Sequence, residues 1–210
     1  MKKVLIELHY LPSIEYFTAC LDANEIVVEA HETFTKQTFR NRCQILGPNK
    51  VQNLIIPVKH ANSLITEVEI AYEQKWPLEH WRTLEASYNK SPYMLYYKDK
   101  LNQIYQSKPK TLFEFNLKLL TFCLQQLSIN AVVSFTNSFE KIVDNEIIDL
   151  RGEISPKVQF SERNLINPKP YFQQFGKAFV PNLSIIDLLM SAGPEARQIL
   201  ADSKPQVQND

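Results

Sequence analysis

The sequence predicts a single-domain α/β protein with a mixed sheet, an N-terminal parallel β-α-β unit and a largely helical second half. Two apolar segments flank a helical segment within the first 30 residues. Turn signals and alternating apolar residues follow as far as residue 72, and helical periodicity then dominates residues 76–127. We expect one domain over residues 1–202 and a loose polar tail over residues 203–210.

The N-terminal unit is predicted from two strands and one capped helix. Residues 4–8 are apolar enough for a buried strand, and Ser13 can cap a helix over residues 14–23 through its hydroxyl. Residues 26–30 form the second strand. Because a strand, a helix and a second strand make the parallel crossover unit, both strands should end at the same edge of the sheet.

The following segments predict antiparallel strands and then helices. Residues 44–58 have the pattern of a hairpin around Gly47-Pro48-Asn49-Lys50, and residues 68–72 alternate as a half-buried strand does. Helices are expected over residues 76–88, 92–105 and 111–127. The remainder predicts a strand over residues 131–135, mostly irregular structure over 138–179, and a final helix broken at Gly193-Pro194.

The composition excludes several classes of protein. Lysine plus arginine equal aspartate plus glutamate at 23 each, so we expect no nucleic-acid partner. No run of about 20 apolar residues predicts a membrane span, and the four glycines form no phosphate-binding loop, so no cofactor is predicted. The three scattered cysteines fit a reduced, cytoplasmic compartment and lack metal-ligand spacing.

Five chemistry-bearing side chains follow the two predicted parallel strands. They are Glu7, His9 and Tyr10 after the first strand, and His31 and Glu32 after the second. Since ligands bind beyond the carboxyl ends of parallel strands, we expect these residues to surround one crevice. Two histidines and two carboxylates suit general acid–base catalysis. The same residue types also bind divalent metals or simply satisfy one another, and the sequence leaves all three alternatives open.

The loop after the second strand adds cationic and amide groups. These are Lys36, Gln37, Arg40, Asn41 and Arg42. The cations are able to hold a carboxylate or phosphate, whereas a solvated loop is the simpler alternative. Phe34 and Phe39 are interleaved with them, which favours a binding site because a solvated loop seldom needs apolar anchors. His80, early in a predicted helix, is a further candidate that packing would explain equally well.

Ordered motifs run along most of the chain. They are Glu7-x-x-Tyr10-Leu11-Pro12-x-x-Glu15-Tyr16-Phe17, the segment His31 to Arg42, Pro57-Val58, His80-Trp81, Tyr171-x-Gln173-x-Phe175 and the segment Pro181 to Leu189. Together these motifs resemble the WbqC-like family. The resemblance implies a transferase that places glycine or a similar acyl group on an amino sugar in bacterial surface-polysaccharide (O-antigen) biosynthesis.

The chain departs from the family pattern in two places. Glu7 stands where the family usually has glutamine, and the glycine- and serine-rich segment of many members is absent. The stretch Ile154-Ser155-Pro156-Lys157 resembles a shorter branch of the family, which implies that Lys157 contacts substrate.

The resulting hypothesis assigns a role to each group. His31, oriented by Glu32 or Glu7, takes a proton from an attacking amine, and Arg40 and Arg42 hold the anionic part of a donor or sugar nucleotide. We expect the substrates to be a nucleotide- or lipid-linked amino sugar and an amino-acid or acyl donor. A non-catalytic module that binds a small anion or sugar is the first alternative. A metal-assisted enzyme built on His9, His31 and a carboxylate is the second.

Overall fold

The computed structural model describes residues 1–205, with most strands before residue 71 and most helices after residue 75. The strands are β1 (Lys3–Ile6), β2 (Glu25–Val28), β3 (Arg42–Leu46), β4 (Val51–Ile55), β5 (Val58–Lys59), β6 (Glu69–Ile70), β7 (Val132–Phe135) and β8 (Ile147–Asp149). The α-helices are α1 (Ile14–Cys20), α2 (Trp76–Tyr88), α3 (Met94–Gln106), α4 (Leu112–Gln126), α5 (Ile185–Ala192) and α6 (Ala196–Asp202).

The main sheet is parallel and has the strand order β7-β2-β1-β8. Its register aligns Val4 of β1 with Ile26 of β2 and Ile148 of β8. Helix α1 connects β1 to β2, and Ser13 Oγ accepts a hydrogen bond from the Tyr16 N–H at its start. The α/β class and the parallel β-α-β unit are therefore confirmed, and the four carboxyl ends lie at one edge of the sheet.

The antiparallel strands differ from the predicted mixed sheet. They form two separate ribbons, β3-β4 and β5-β6, while the main sheet contains parallel pairs throughout its four strands. Strand β8 pairs with β1 at the edge, although its three residues lie in the segment that we predicted to be mostly irregular. So short a strand has no periodicity that a sequence pattern can show, and its pairing comes from tertiary contact with β1.

The main core lies between one face of the sheet and the helices. Val4, Ile6 and Val28 are fully buried there, with the apolar faces of α4 and α5. Across residues 1–205, no helix combines the length and the hydropathy that crossing a membrane requires.

The C-terminal boundary can be followed only in part. Helix α6 ends at Asp202, and the buried Ser203 accepts hydrogen bonds from the backbone N–H groups of Asn167 and Lys169. Residues 206–210 of the predicted loose tail lie outside the described residues.

Candidate functional site

A buried ionic cluster lies where β1 ends. Arg40 binds Glu32 through two hydrogen bonds, with Nε 2.7 Å from Oε1 and Nη2 2.5 Å from Oε2. The same Nη2 lies 3.4 Å from Glu7 Oε1, and His9 Nε2 is also 3.4 Å from that oxygen. We call Glu7, His9, Glu32 and Arg40 the Glu7 cluster. Glu7 and His9 are 1% and 0% exposed, whereas the side chains of Arg40 and Glu32 are 8% and 10% exposed, so only the Arg40–Glu32 pair reaches the surface.

The partners of the two carboxylates set their ionisation. Burial alone would raise the pKa of Glu7, but the neighbouring His9 imidazole and the charge of Arg40 lower this pKa from 4.5 to about 2. Burial raises the pKa of Glu32, and its hydrogen bonds to Arg40 oppose this only in part. Glu7 is therefore a fixed anion at neutral pH, and Glu32 takes up a proton more readily than Glu7.

A second buried carboxylate holds the chain at the end of β2. Glu29 is fully buried, and its Oε1 accepts hydrogen bonds of 2.8 Å from the His31 N–H and from Thr136 Oγ1. Its Oε2 accepts a 2.8 Å bond from Arg151 Nη1. Next to Arg151, the Gly152 N–H lies 3.1 and 3.2 Å from the two carboxylate oxygens of Glu7. The segment after β8 is thus bonded to the ends of both β1 and β2.

Glu29 and its partners were not predicted from the sequence as site residues. Glu29 carried a usable signal, because it is an acid at the end of an apolar strand and two residues before His31. Thr136, Arg151 and Gly152 carried none, since they lie more than 100 residues from their partners along the chain.

The predicted catalytic residues are only partly brought together. The structure joins Glu7, His9 and Glu32 through Arg40, but the imidazole of His31 is exposed to solvent. The hydrogen bonds of the Glu32 carboxylate go to Arg40, and those of Glu7 go to the Gly152 N–H. The structure fixes His31 through its backbone N–H instead.

Tyr10 and His80 form a separate buried pair. The Tyr10 hydroxyl contacts His80 Nδ1 at 2.9 Å and also the Tyr105 hydroxyl. Burial lowers the pKa of His80 to about 4, so this imidazole is neutral at pH 7. The rings of Tyr10, His80 and Trp76 pack against one another, which places both candidates in an aromatic part of the core.

The remaining predicted binding residues are spread over three places. Asn41 Nδ2 donates to the Ile56 carbonyl at 2.8 Å and thereby fixes the hairpin, and Arg42 is half-buried at the start of β3. Lys36 and Gln37 are exposed on the loop. Lys157 is exposed at the rim of a cavity of about 290 Å³, apart from the Glu7 cluster.

The described residues contain no cluster of metal-ligating side chains. Over residues 1–205, no three histidine, cysteine, aspartate or glutamate side chains are grouped as a metal site would require. Cys20, Cys43 and Cys123 are buried free thiols, and burial raises the pKa of each.

The C-terminal motif builds another polar cluster. Asp187 is 1% exposed and accepts hydrogen bonds from the Tyr88 hydroxyl at 2.9 Å, the Tyr171 hydroxyl at 2.7 Å and Gln173 Nε2 at 3.1 Å. We call these four residues the Asp187 cluster. Burial raises the pKa of Asp187 despite these bonds, because all three donors are neutral.

Comparison with known proteins identifies relatives across the chain. The chain is 25% identical to an uncharacterized protein of Mycobacterium tuberculosis over 232 aligned positions, covering 95% of this chain and 98% of that protein. No solved structure matches the chain significantly. The model of the WbqC-like protein family matches residues 8–162 and 156–199. The first matched segment includes His9, Glu32 and Arg40, and the second includes Tyr171, Gln173 and Asp187. The chain belongs to the WbqC-like protein family.

Proposed function

We propose that the chain is a cytoplasmic group transferase that moves a glycyl or other acyl group onto an amino sugar in bacterial surface-polysaccharide biosynthesis. Resemblance to the family supplies the reaction class. The observation that supports a catalytic site is the exposed imidazole of His31 at the carboxyl end of β2, with its backbone fixed by the buried Glu29. This edge of a parallel sheet is where loops converge on ligands.

The proposed step is acyl transfer from an activated donor such as a thioester. The amine nitrogen of the sugar attacks the acyl carbonyl carbon, a C–N bond forms and the C–S bond breaks. His31 takes the proton that the amine loses and returns it to the departing thiolate. General-base catalysis of this kind contributes about 10²–10⁴ in rate.

The Glu7 cluster is assigned a positioning role. Arg40 already binds Glu32 and contacts Glu7, so it is unavailable as the main site for a substrate anion. It instead fixes the loop between β2 and β3 against the end of β1. Binding of anionic substrate groups is assigned to the more accessible cations Lys36, Arg42 and Lys157.

The experiment combines purified protein with nucleotide-linked amino sugars and with acetyl and glycyl thioesters. Mass spectrometry should detect the N-acylated sugar. His31→Asn should lower the rate by about 10²–10⁴ while the circular dichroism spectrum is unchanged. His60→Asn is the matched control, because His60 is also an exposed loop histidine and its φ of 54° suits asparagine. No product from any wild-type reaction, or full turnover by His31→Asn, would contradict the proposal.

A non-catalytic binding module is the second candidate. It is favoured by the buried Glu7 cluster, in which Arg40 pairs with both carboxylates and the Glu7 anion is too acidic to exchange protons near neutral pH. This candidate predicts saturable binding of a small sugar without turnover. It also predicts that Glu7→Gln, the residue usual in the family, leaves binding unchanged.

A further inference from the structure

One face of the main sheet lies outside the main core. Alternation along β1 places Val4 and Ile6 in the core, whereas Leu5 points to the opposite face beside Val27 of β2. The segment of residues 136–146, which links β7 to β8, lies over this second face.

A cavity of about 270 Å³ separates the sheet from that segment. Leu5, Val27 and Ile147 form its apolar floor, and its polar rim consists of Thr136, Asn137, Ser138, Glu140, Asp144 and Arg151. Pockets for drug-sized ligands measure about 300–1,000 Å³. A cavity of this size therefore suits a single sugar ring.

Several contacts hold the rim in place. Arg151 Nη2 donates to the Glu140 carbonyl at 2.8 Å, and the guanidinium lies 5.0 Å from the centre of the Phe139 ring. The Thr136 N–H also donates to the Val28 carbonyl at 3.0 Å. The rim is thus anchored to the sheet at both ends, which preorganises the cavity.

The charges of the rim favour a cationic ligand. Arg151 is its basic group, and this guanidinium is already bound to Asp149 at 2.7 Å and Glu29 at 2.8 Å. Among the described residues, the carboxylates of Glu140 and Asp144 form no ion pair. The excess of negative charge attracts an ammonium group and repels phosphate or carboxylate.

The cavity is physically continuous with the proposed catalytic edge. Thr136 and Arg151 line it, and the same two side chains bind Glu29, which accepts the His31 N–H. The rim of the cavity thus reaches the carboxyl edge of the sheet, which also carries His31.

We propose that this cavity is the acceptor subsite and binds an amino sugar in its ammonium form. The apolar face of the ring lies on Leu5 and Val27, the hydroxyl groups meet Asn137 and Ser138, and the ammonium group meets Glu140 and Asp144. Before transfer, one of these two carboxylates takes up a proton from the ammonium group, and the free amine then attacks the donor. The inference rests on the proposed function for the acceptor's role in transfer, but binding itself requires no turnover.

The test is an equilibrium titration of the full chain followed by NMR. The cationic probes are glucosamine, galactosamine and their 3-amino and 4-amino isomers. N-acetylglucosamine is the neutral probe, and glucuronate is the anionic one. We expect saturable shifts at cavity residues with at least one amino sugar, about tenfold weaker binding of N-acetylglucosamine, and no binding of glucuronate.

Substitutions in the rim test whether the amino sugar binds in this cavity. Glu140→Gln combined with Asp144→Asn should weaken amino-sugar binding about tenfold, since these exposed substitutions keep size and hydrogen bonding but remove charge. Ser138→Trp should block the cavity. The matched control is Glu146→Gln, an exposed acid near the rim that does not line the cavity.

The outcomes separate this inference from the proposed function. No binding of any amino sugar, or equal binding by the charge-neutralised variant, overturns the subsite. If the charge-neutralised variant transfers the acyl group at the wild-type rate, the subsite is likewise overturned, but the transferase proposal stands. Binding that follows the expected order without any acyl transfer supports the subsite and contradicts the transferase.

Discussion

The Glu7 and Asp187 clusters each surround a buried carboxylate, since Glu7 and Asp187 are both 1% exposed, but they stabilise it in different ways. Glu7 lies beside a guanidinium and an imidazole, and its pKa falls to about 2. Asp187 has three neutral donors, and its pKa rises. Burial penalises both anions, but only in the first does nearby positive charge outweigh that penalty.

The difference indicates different roles. The Glu7 cluster keeps a permanent charge at the carboxyl edge of the parallel sheet, where ligands bind in this class of fold. The Asp187 cluster ties α2 and α5 to the Tyr171 segment, and we interpret its role as structural. Both contain residues of the family motifs, so a shared motif alone does not distinguish function from packing.

Removing the cation of the Glu7 cluster should have the largest effect on stability. Arg40→Met leaves Glu7 and Glu32 buried without their counter-charge, so we expect the free energy of unfolding to fall by about 3–5 kcal/mol in urea denaturation. Lys59→Met is the control, because it breaks an exposed pair with Glu73 and should change stability little. An Arg40→Met loss no greater than that of the control would mean that the two carboxylates reach water.

As the pH falls, the contributions of Glu7 and Asp187 to folding stability should change in opposite directions. The folded pKa of Glu7 is depressed, so its stabilisation is present above pH 4.5 and is lost as the pH falls through about 2. The stability difference between wild type and Glu7→Gln should therefore shrink by about 3 kcal/mol over this window.

The stability that Asp187 contributes should change with pH in the opposite direction. Its folded pKa is raised, so its contribution is present below its ordinary value of 3.8 and is lost as the pH rises through the folded pKa. Wild type should gain stability relative to Asp187→Asn as the pH falls. Chemical denaturation at a series of pH values measures the unfolding free energy of both variants relative to wild type. If the two differences change with pH in the same direction, the two carboxylates do not differ as proposed.

The smallest effect should come from Gly152, which links β8 to Glu7. Its φ of 74° disfavours a side chain, but an added Cβ would meet no atom within 4 Å. Gly152→Ala should therefore cost about 1 kcal/mol of unfolding free energy through backbone strain. Gly176→Ala is the matched control, with a φ of 88°. A larger loss at Gly152 would show that the substitution also disturbs the hydrogen bonds from its backbone N–H to Glu7, and equal losses would show that backbone strain accounts for the whole effect.

Local pattern was sufficient for much of the fold. The 3.6-residue periodicity predicted α2 at its observed bounds, and α4 within one residue at each end. The prediction of β1 and β2 around a helix capped by Ser13 was confirmed because caps and apolar runs are local signals. Strand β8 escaped prediction because its pairing with β1 spans more than 140 residues.

The arrangement of the candidate site was also predicted only in part. Glu7, His9 and Glu32 were selected from the ends of two predicted strands and Arg40 from the loop that follows the second, and these four side chains do lie together. Tyr10 was selected from the end of the first strand and His80 from an early position in a predicted helix, but both side chains pack in an aromatic core instead. Residue type and spacing therefore indicated which groups approach the edge, but not which partner each would take.

By itself, the sequence determined the class of fold, the parallel unit and the edge at which polar groups gather, because periodicity and capping act between residues close in the chain. Tertiary structure alone decided that Arg40 binds Glu32, that Arg151 and Gly152 reach Glu29 and Glu7, and that His31 stays exposed. Arg151 and Gly152 reach their partners across more than 100 residues, whereas Arg40 and Glu32 are eight residues apart. In each case the desolvation of a buried anion must be offset by whichever donors the fold places beside it.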